Sequence, residues 1–151
     1  MSPTLSLAQH LALAATGLFF LNGLLTGVWK YAQMRGGDHA HYYVNIAHRT
    51  SLMYAFACLL LERFAALSAW SAPVNTAAVI ASVAFFAMAV VTYMVHGFLG
   101  DTENQLERPH KLGRATLPNL LITGFMVALI LAEIGGFLVL LAGAGRGLGW
   151  F

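Results

Sequence analysis

The chain reads as an all-α integral membrane protein, a bundle of four transmembrane helices forming a single domain over residues 1–151. Composition points there first: 59% of residues are hydrophobic, 9% are charged and the mean hydropathy is +0.72, whereas about a quarter of residues are charged in an ordinary soluble domain. Segment length points the same way. A spanning helix needs roughly 20 apolar residues to cross ~30 Å of hydrocarbon, and four stretches qualify: about Leu7 to Trp29, His48 to Trp70, Thr76 to Phe98 and Leu117 to Ala142. The third observation is that basic residues gather in the links between these runs.

No Lys or Arg precedes Lys30, so the first run lacks the basic start of a secretory signal, and no cleavage pattern follows it. It is expected to stay as a membrane helix. Its Asn22-Gly23-Leu24-Leu25-Thr26-Gly27 stretch spaces two glycines for close helix approach, with Asn22 placed to hydrogen-bond a neighbouring helix. Trp29, Tyr31 and Trp70 fall at span ends, where aromatic rings prefer the headgroup layer. In the second run Glu62 returns to the face of His48 but ~21 Å further along the axis, so its expected partner is the adjacent Arg63. Pro73 breaks the short link before the third run, and Pro118 opens the fourth, where a missing N–H is harmless. Gly135-Gly136 offers a second packing notch, and Glu133 is an acid inside the span, either paired across helices, protonated or part of a proton relay.

Lys30, Arg35, Arg108, Lys111 and Arg114 lie in the two long links, with Arg49 beside them, against Arg146 and Arg63 on the other side. The positive-inside rule makes those links cytoplasmic and both termini extracytoplasmic, as in a multi-pass protein of a bacterial-type inner membrane. A single cysteine, Cys58, excludes an internal disulfide, and a net charge of +2 gives no footprint for nucleic acid.

Five histidines, His39, His41, His48, His96 and His110, then fall toward the cytoplasmic side, and His10 alone faces the other. His48 stands where the second span begins and His96 where the third ends; Tyr93, about one turn earlier, shares the His96 face. Asp101, Glu103 and Asn104 follow at once, so a polar pocket is expected to open to the cytoplasm. A histidine at a helix start often bonds only headgroups or loop carbonyls, but ionisable groups at membrane depth commonly mark function. Asp38, His39 and His41 could supply carboxylate and imidazole ligands to zinc, yet they sit on a flexible Gly-Gly-Asp-His-Ala-His loop without a rigid H-E-x-x-H scaffold, and the clustered histidine boxes of membrane di-iron enzymes are absent. Haem asks less: one or two axial side chains in an apolar slot. His48 alone would leave an open iron with Lewis-acid character, while His48 with His96 would make an electron carrier. Tyr54, Phe85, Phe86 and Tyr93 are available as aromatic walls, although the two phenylalanines serve equally as packing.

The segment Ala47-His48-Arg49-Thr50-Ser51-Leu52-Met53-Tyr54-Ala55, after a glycine-rich first span, resembles the small four-span membrane isomerases that include styrene oxide isomerase and hydroxylaminobenzene mutase. Those proteins carry an Ala-His pair at the start of span two and an Asn-Gly pair six residues beyond the histidine. Thr92-Tyr93 is similar to the Thr-Tyr pair of the mutases late in span three. The resemblance implies haem b held by His48, its ferric iron polarising an epoxide oxygen, a hydride shift giving a carbonyl product, and Tyr93 orienting the substrate. It also implies a homotrimer with haem between subunits. Tyr54 and Ala55 depart from the Asn-Gly pair, which puts a bulkier phenol in the pocket and points to a different substrate.

The expected function is therefore a haem b-dependent isomerase of a small apolar, aromatic epoxide or hydroxylamine, with His48 as iron ligand and Tyr93, Tyr54 and His96 as catalytic candidates. The alternatives are a di-histidine cytochrome b subunit and a membrane subunit without catalysis.

Overall fold

In a computed structural model, which describes residues 4–151, the chain folds into four long helices: α1 Leu7–Gly36, α2 Tyr42–Leu67, α3 Ala72–Leu99 and α4 Asn119–Gly147. All four are long and apolar enough to cross a membrane. A two-stranded hairpin, β1 Lys111–Leu112 and β2 Ala115–Thr116, lies in the last long link. The links between α1 and α2 and between α3 and α4 share one end of the bundle, called here the loop end.

Local chemistry explains the helix ends. Ser6 caps α1 in a reciprocal box, its hydroxyl accepting the Gln9 N–H at 3.4 Å while its own N–H reaches the Gln9 side chain at 3.0 Å. At the far end α1 runs seven residues past Trp29, because Lys30, Gln33, Met34 and Arg35 are good helix formers. His41 caps α2 by accepting the Tyr43 N–H on Nδ1 at 3.2 Å, so α2 starts six residues before His48. Pro73 sits in the first turn of α3, and Pro118 precedes α4 at its N-cap. Gly100, at φ +60°, ends α3 in the left-handed conformation, its N–H donating to the His96 carbonyl at 2.8 Å. Gly113, at φ +59°, turns the hairpin; with no positive φ at Arg114, this two-residue turn is of type II′.

The core is built from small side chains: Ala8, Ala12 and Ala15 of α1, Ala55, Cys58 and Ala65 of α2, and Ala78 and Val79 of α3, with Leu140 of α4 beside them. Cys58 is completely buried. Large apolar side chains point outward instead, as at Leu18, Phe56, Phe98 and Leu120, which are 69%, 70%, 82% and 83% exposed. In lipid, where tails are as apolar as leucine, close backbone packing replaces hydrophobic collapse as the reason helices associate.

Glycines mark the closest crossings. A methyl group on Gly27 would stand 3.0 Å from the His48 ring, and one on Gly23 would overlap Leu52, so both expected notches on α1 receive α2 side chains. On α4, Gly136 faces Ser82 and the Ala78 carbonyl of α3, but Gly135 meets open space and is not part of a notch. Asn22 does reach across, donating from Nδ2 to the Ser51 hydroxyl at 2.9 Å.

The local ion pair expected between Glu62 and Arg63 does not form. Glu62 Oε1 instead accepts from Gln9 Nε2 of α1 at 2.7 Å. Successive helix residues point about 100° apart, so when Glu62 faces α1 its neighbour faces away. Among the described residues the ion pair that does form is His96–Asp101.

Candidate functional site

His48, one and a half turns into α2, turns its ring toward α1. Its Nδ1 lies 2.8 Å from the Gly23 carbonyl oxygen, the ring rests against Gly27, and the side chain is half-buried. A carbonyl can only accept, so Nδ1 carries the proton, and in the neutral ring Nε2 is the nitrogen with the lone pair. Histidines that ligate a metal are commonly set this way, with the non-ligating nitrogen bonded to a backbone carbonyl or carboxylate. The ring therefore has the chemistry an axial haem ligand requires. Among the described residues no group of three or more His, Cys, Asp or Glu side chains comes together to hold a bare ion.

His96 and the tyrosines assemble on a different seam. Tyr43 is buried in the first turn of α2, stacks on Tyr93 of α3 with ring centres 5.8 Å apart, and lies 5.3 Å from the His96 ring. Its hydroxyl accepts the Gln105 N–H at 2.6 Å, tying α2 to the following link. His96 is buried, and its Nδ1 is 2.8 Å from Asp101 Oδ1. Asp101 Oδ2 accepts the Gly113 N–H of the hairpin turn at 2.5 Å. Burial pushes the Asp101 carboxyl up, but the His96 and Gly113 hydrogen bonds and the attraction of His96 outweigh that and hold it below the usual carboxylate range.

Tyr54 packs deeper on α2. It stacks face to face on Phe86 at 4.0 Å between ring centres and meets Phe19 edge-on at 5.9 Å. Phe86 is thus core, while Phe85 packs on Phe125 of α4. Glu133 of α4 has its Oε1 buried with no hydrogen-bond partner. The structure consequently gathers Tyr43, Tyr93 and His96 where α2 meets α3, with Tyr54 deeper along the same α2–α3 seam against Phe86. His48 is six residues from Tyr54, about 120° around the helix, and stands apart on the α1 side.

Four cavities open at the loop end, one of them a cleft of about 220 Å³ within the α3–α4 link, lined by Asp101, Glu103, Glu107, Arg108 and Lys111. Two others are polar clefts of about 300 and 430 Å³ that share His39, Tyr42 and Glu103, with Lys30 and Asn45 in the first and His41 in the second. The fourth, about 360 Å³, lies between α3 and α4 and has His96 at its polar end. His110 of the same link is buried and its Nε2 lies 3.2 Å from Asn119 Oδ1, tethering the hairpin to the start of α4. The roles of Tyr43, Gln105 and the hairpin are not legible in the sequence, since the contacts that define them join residues 12 to 62 positions apart.

The chain matches no family model, no curated protein and no solved structure.

Proposed function

We propose that the chain is a haem b-binding membrane isomerase acting on a small apolar, aromatic epoxide or a related hydroxylamine. In this reading it sits in an inner membrane of bacterial type with the loop end cytoplasmic and both termini outside, and assembles as a homotrimer. The observation that carries it is the His48 ring, fixed through Nδ1 on the Gly23 carbonyl with Nε2 free.

Bound there, haem b would supply a ferric Lewis acid that favours rearrangement of a carbon–oxygen or nitrogen–oxygen bond without net redox change. The Gly23 carbonyl sets the tautomer and orientation of His48. Gly27 leaves the space that the ring occupies. Tyr93 donates its O–H to the substrate oxygen, while Tyr54, Phe86 and Phe19 form an aromatic wall that keeps water from a cationic centre. What supports a site shared between chains is the separation of His48 from the two phenols onto different faces of α2. The cytochrome alternative needs His48 and His96 on one iron, and within a chain these rings are committed to different seams.

The test is the absorption spectrum of purified protein loaded with haemin. A Soret band is expected that shifts on adding imidazole, and His48→Ala should remove it. An absent band, or one unchanged in the variant, overturns the proposal; a low-spin band indifferent to imidazole favours the cytochrome.

A further inference from the structure

We infer that the α3–α4 link, residues 101–118, is a latched cover over the loop end of the cavity between α3 and α4, held shut by Asp101 and Tyr43. Val95 of α3 and Phe125 of α4 are among the apolar walls of this cavity, while Gln105, Leu106, Lys111 and Leu112 of the link line it from the loop side. Hydrophobic burial does not hold the link in place. Of its residues only His110 is buried, and Leu106 and Leu112 are 48% and 36% exposed. A segment with so little buried surface is among the first to open in a folded chain, so its polar contacts decide whether it stays down.

Those contacts divide into a hinge and a latch. On the α4 side His110 is tied to the helix start through Asn119 Oδ1, and its carbonyl accepts the Leu117 N–H at 2.8 Å, so the hairpin is anchored there. On the opposite side two bonds hold the link to the neighbouring helices. Asp101 follows the left-handed Gly100 that ends α3; its Oδ2 accepts the Gly113 N–H at the hairpin turn, and its Oδ1 is fixed by the buried His96 ring. The Tyr43 hydroxyl of α2 accepts the Gln105 N–H. The bonds to the Asp101 carboxylate are charge-assisted, which makes this side chain the stronger half of the latch. Gly113 and Gln105 both contribute backbone N–H groups, which water satisfies once the link lifts, so opening costs only the difference between a protein and a water partner. Lifting the link removes Gln105, Leu106, Lys111 and Leu112 together and joins the cavity to the water at the loop end.

The test uses the full-length chain in lipid nanodiscs, without added haem, carrying Thr92→Cys, a near-isosteric reporter in the cavity lining about 10 Å from the end of α3. Reaction with a charged, membrane-impermeant methanethiosulfonate is followed by peptide mass spectrometry at position 92 and at the native Cys58. Labelling at position 92 is expected to be slow while the latch is intact. Asp101→Ala should speed it about tenfold, and Tyr43→Phe, which keeps the ring stack on Tyr93, about threefold, the scale of losing a charged and a neutral hydrogen bond. Cys58 should not change in either variant. A rate at position 92 indifferent to both substitutions overturns the inference; so does a rise matched at Cys58, which would mean that these bonds hold the whole bundle rather than a cover. If Asp101→Ala fails to fold, Tyr43→Phe decides alone. None of these readouts involves the His48 Soret band, so either proposal can fail without the other.

Discussion

His48 owes its orientation to one hydrogen bond and to the bare backbone of Gly27 opposite. A methyl group there would already come within 3.0 Å of the ring, so Gly27→Val should push the imidazole off the Gly23 carbonyl and weaken haemin binding at least tenfold in a Soret titration. Tyr93→Phe should retain the band and lower turnover by roughly tenfold, the worth of about one hydrogen bond; equal turnover would remove its assigned role. Asp101 carries a pH prediction. Its folded-state carboxyl is held below the usual range, so the stability it adds is present above the unfolded value near ~3.9 and is lost as pH falls through the lower folded value. The Tm difference between the native chain and Asp101→Asn in detergent should therefore be greatest near neutrality and close below about pH 4. The partnership with His96 is hidden in the sequence because a separation of five is not a helix-neighbour spacing. It becomes close only because Gly100 turns the chain back in the left-handed conformation.

Helix positions were readable from apolar run length, and helix ends were not. Hydropathy reports where side chains leave hydrocarbon, whereas a helix continues wherever its backbone bonds are satisfied, as from Lys30 to Gly36 and from Tyr42 to Ala47. That extension places His48 inside α2 rather than at its mouth. The notch pattern was legible on α1 and half legible on α4, since two adjacent glycines cannot both face the same neighbour. The difference is measurable. Gly136→Ala would set a methyl 2.5 Å from Ser82 Oγ and 2.8 Å from the Ala78 carbonyl, so it should destabilise the α3–α4 contact by about 1–3 kcal/mol. Gly135→Ala meets open space and should be neutral or stabilising by up to ~1 kcal/mol through helix propensity. Thermal unfolding of the two variants in one detergent checks both.

Across the whole molecule, small residues lie inside and large apolar ones outside, an arrangement suited to lipid or to neighbouring copies. α4 is the extreme case, with few buried positions along its length. The proposed homotrimer predicts a protein mass of three times 16.2 kDa by light scattering after subtraction of detergent; a monomer would leave His48 without a subunit boundary to serve. The same interior gives the molecule an intrinsic reporter. Since its sole thiol is sealed between helices, a water-soluble maleimide should label the native chain only as the bundle opens. The modification rate would then follow the population of open molecules, allowing bilayer compositions and haemin to be ranked by how firmly each keeps the bundle shut, without engineering a probe.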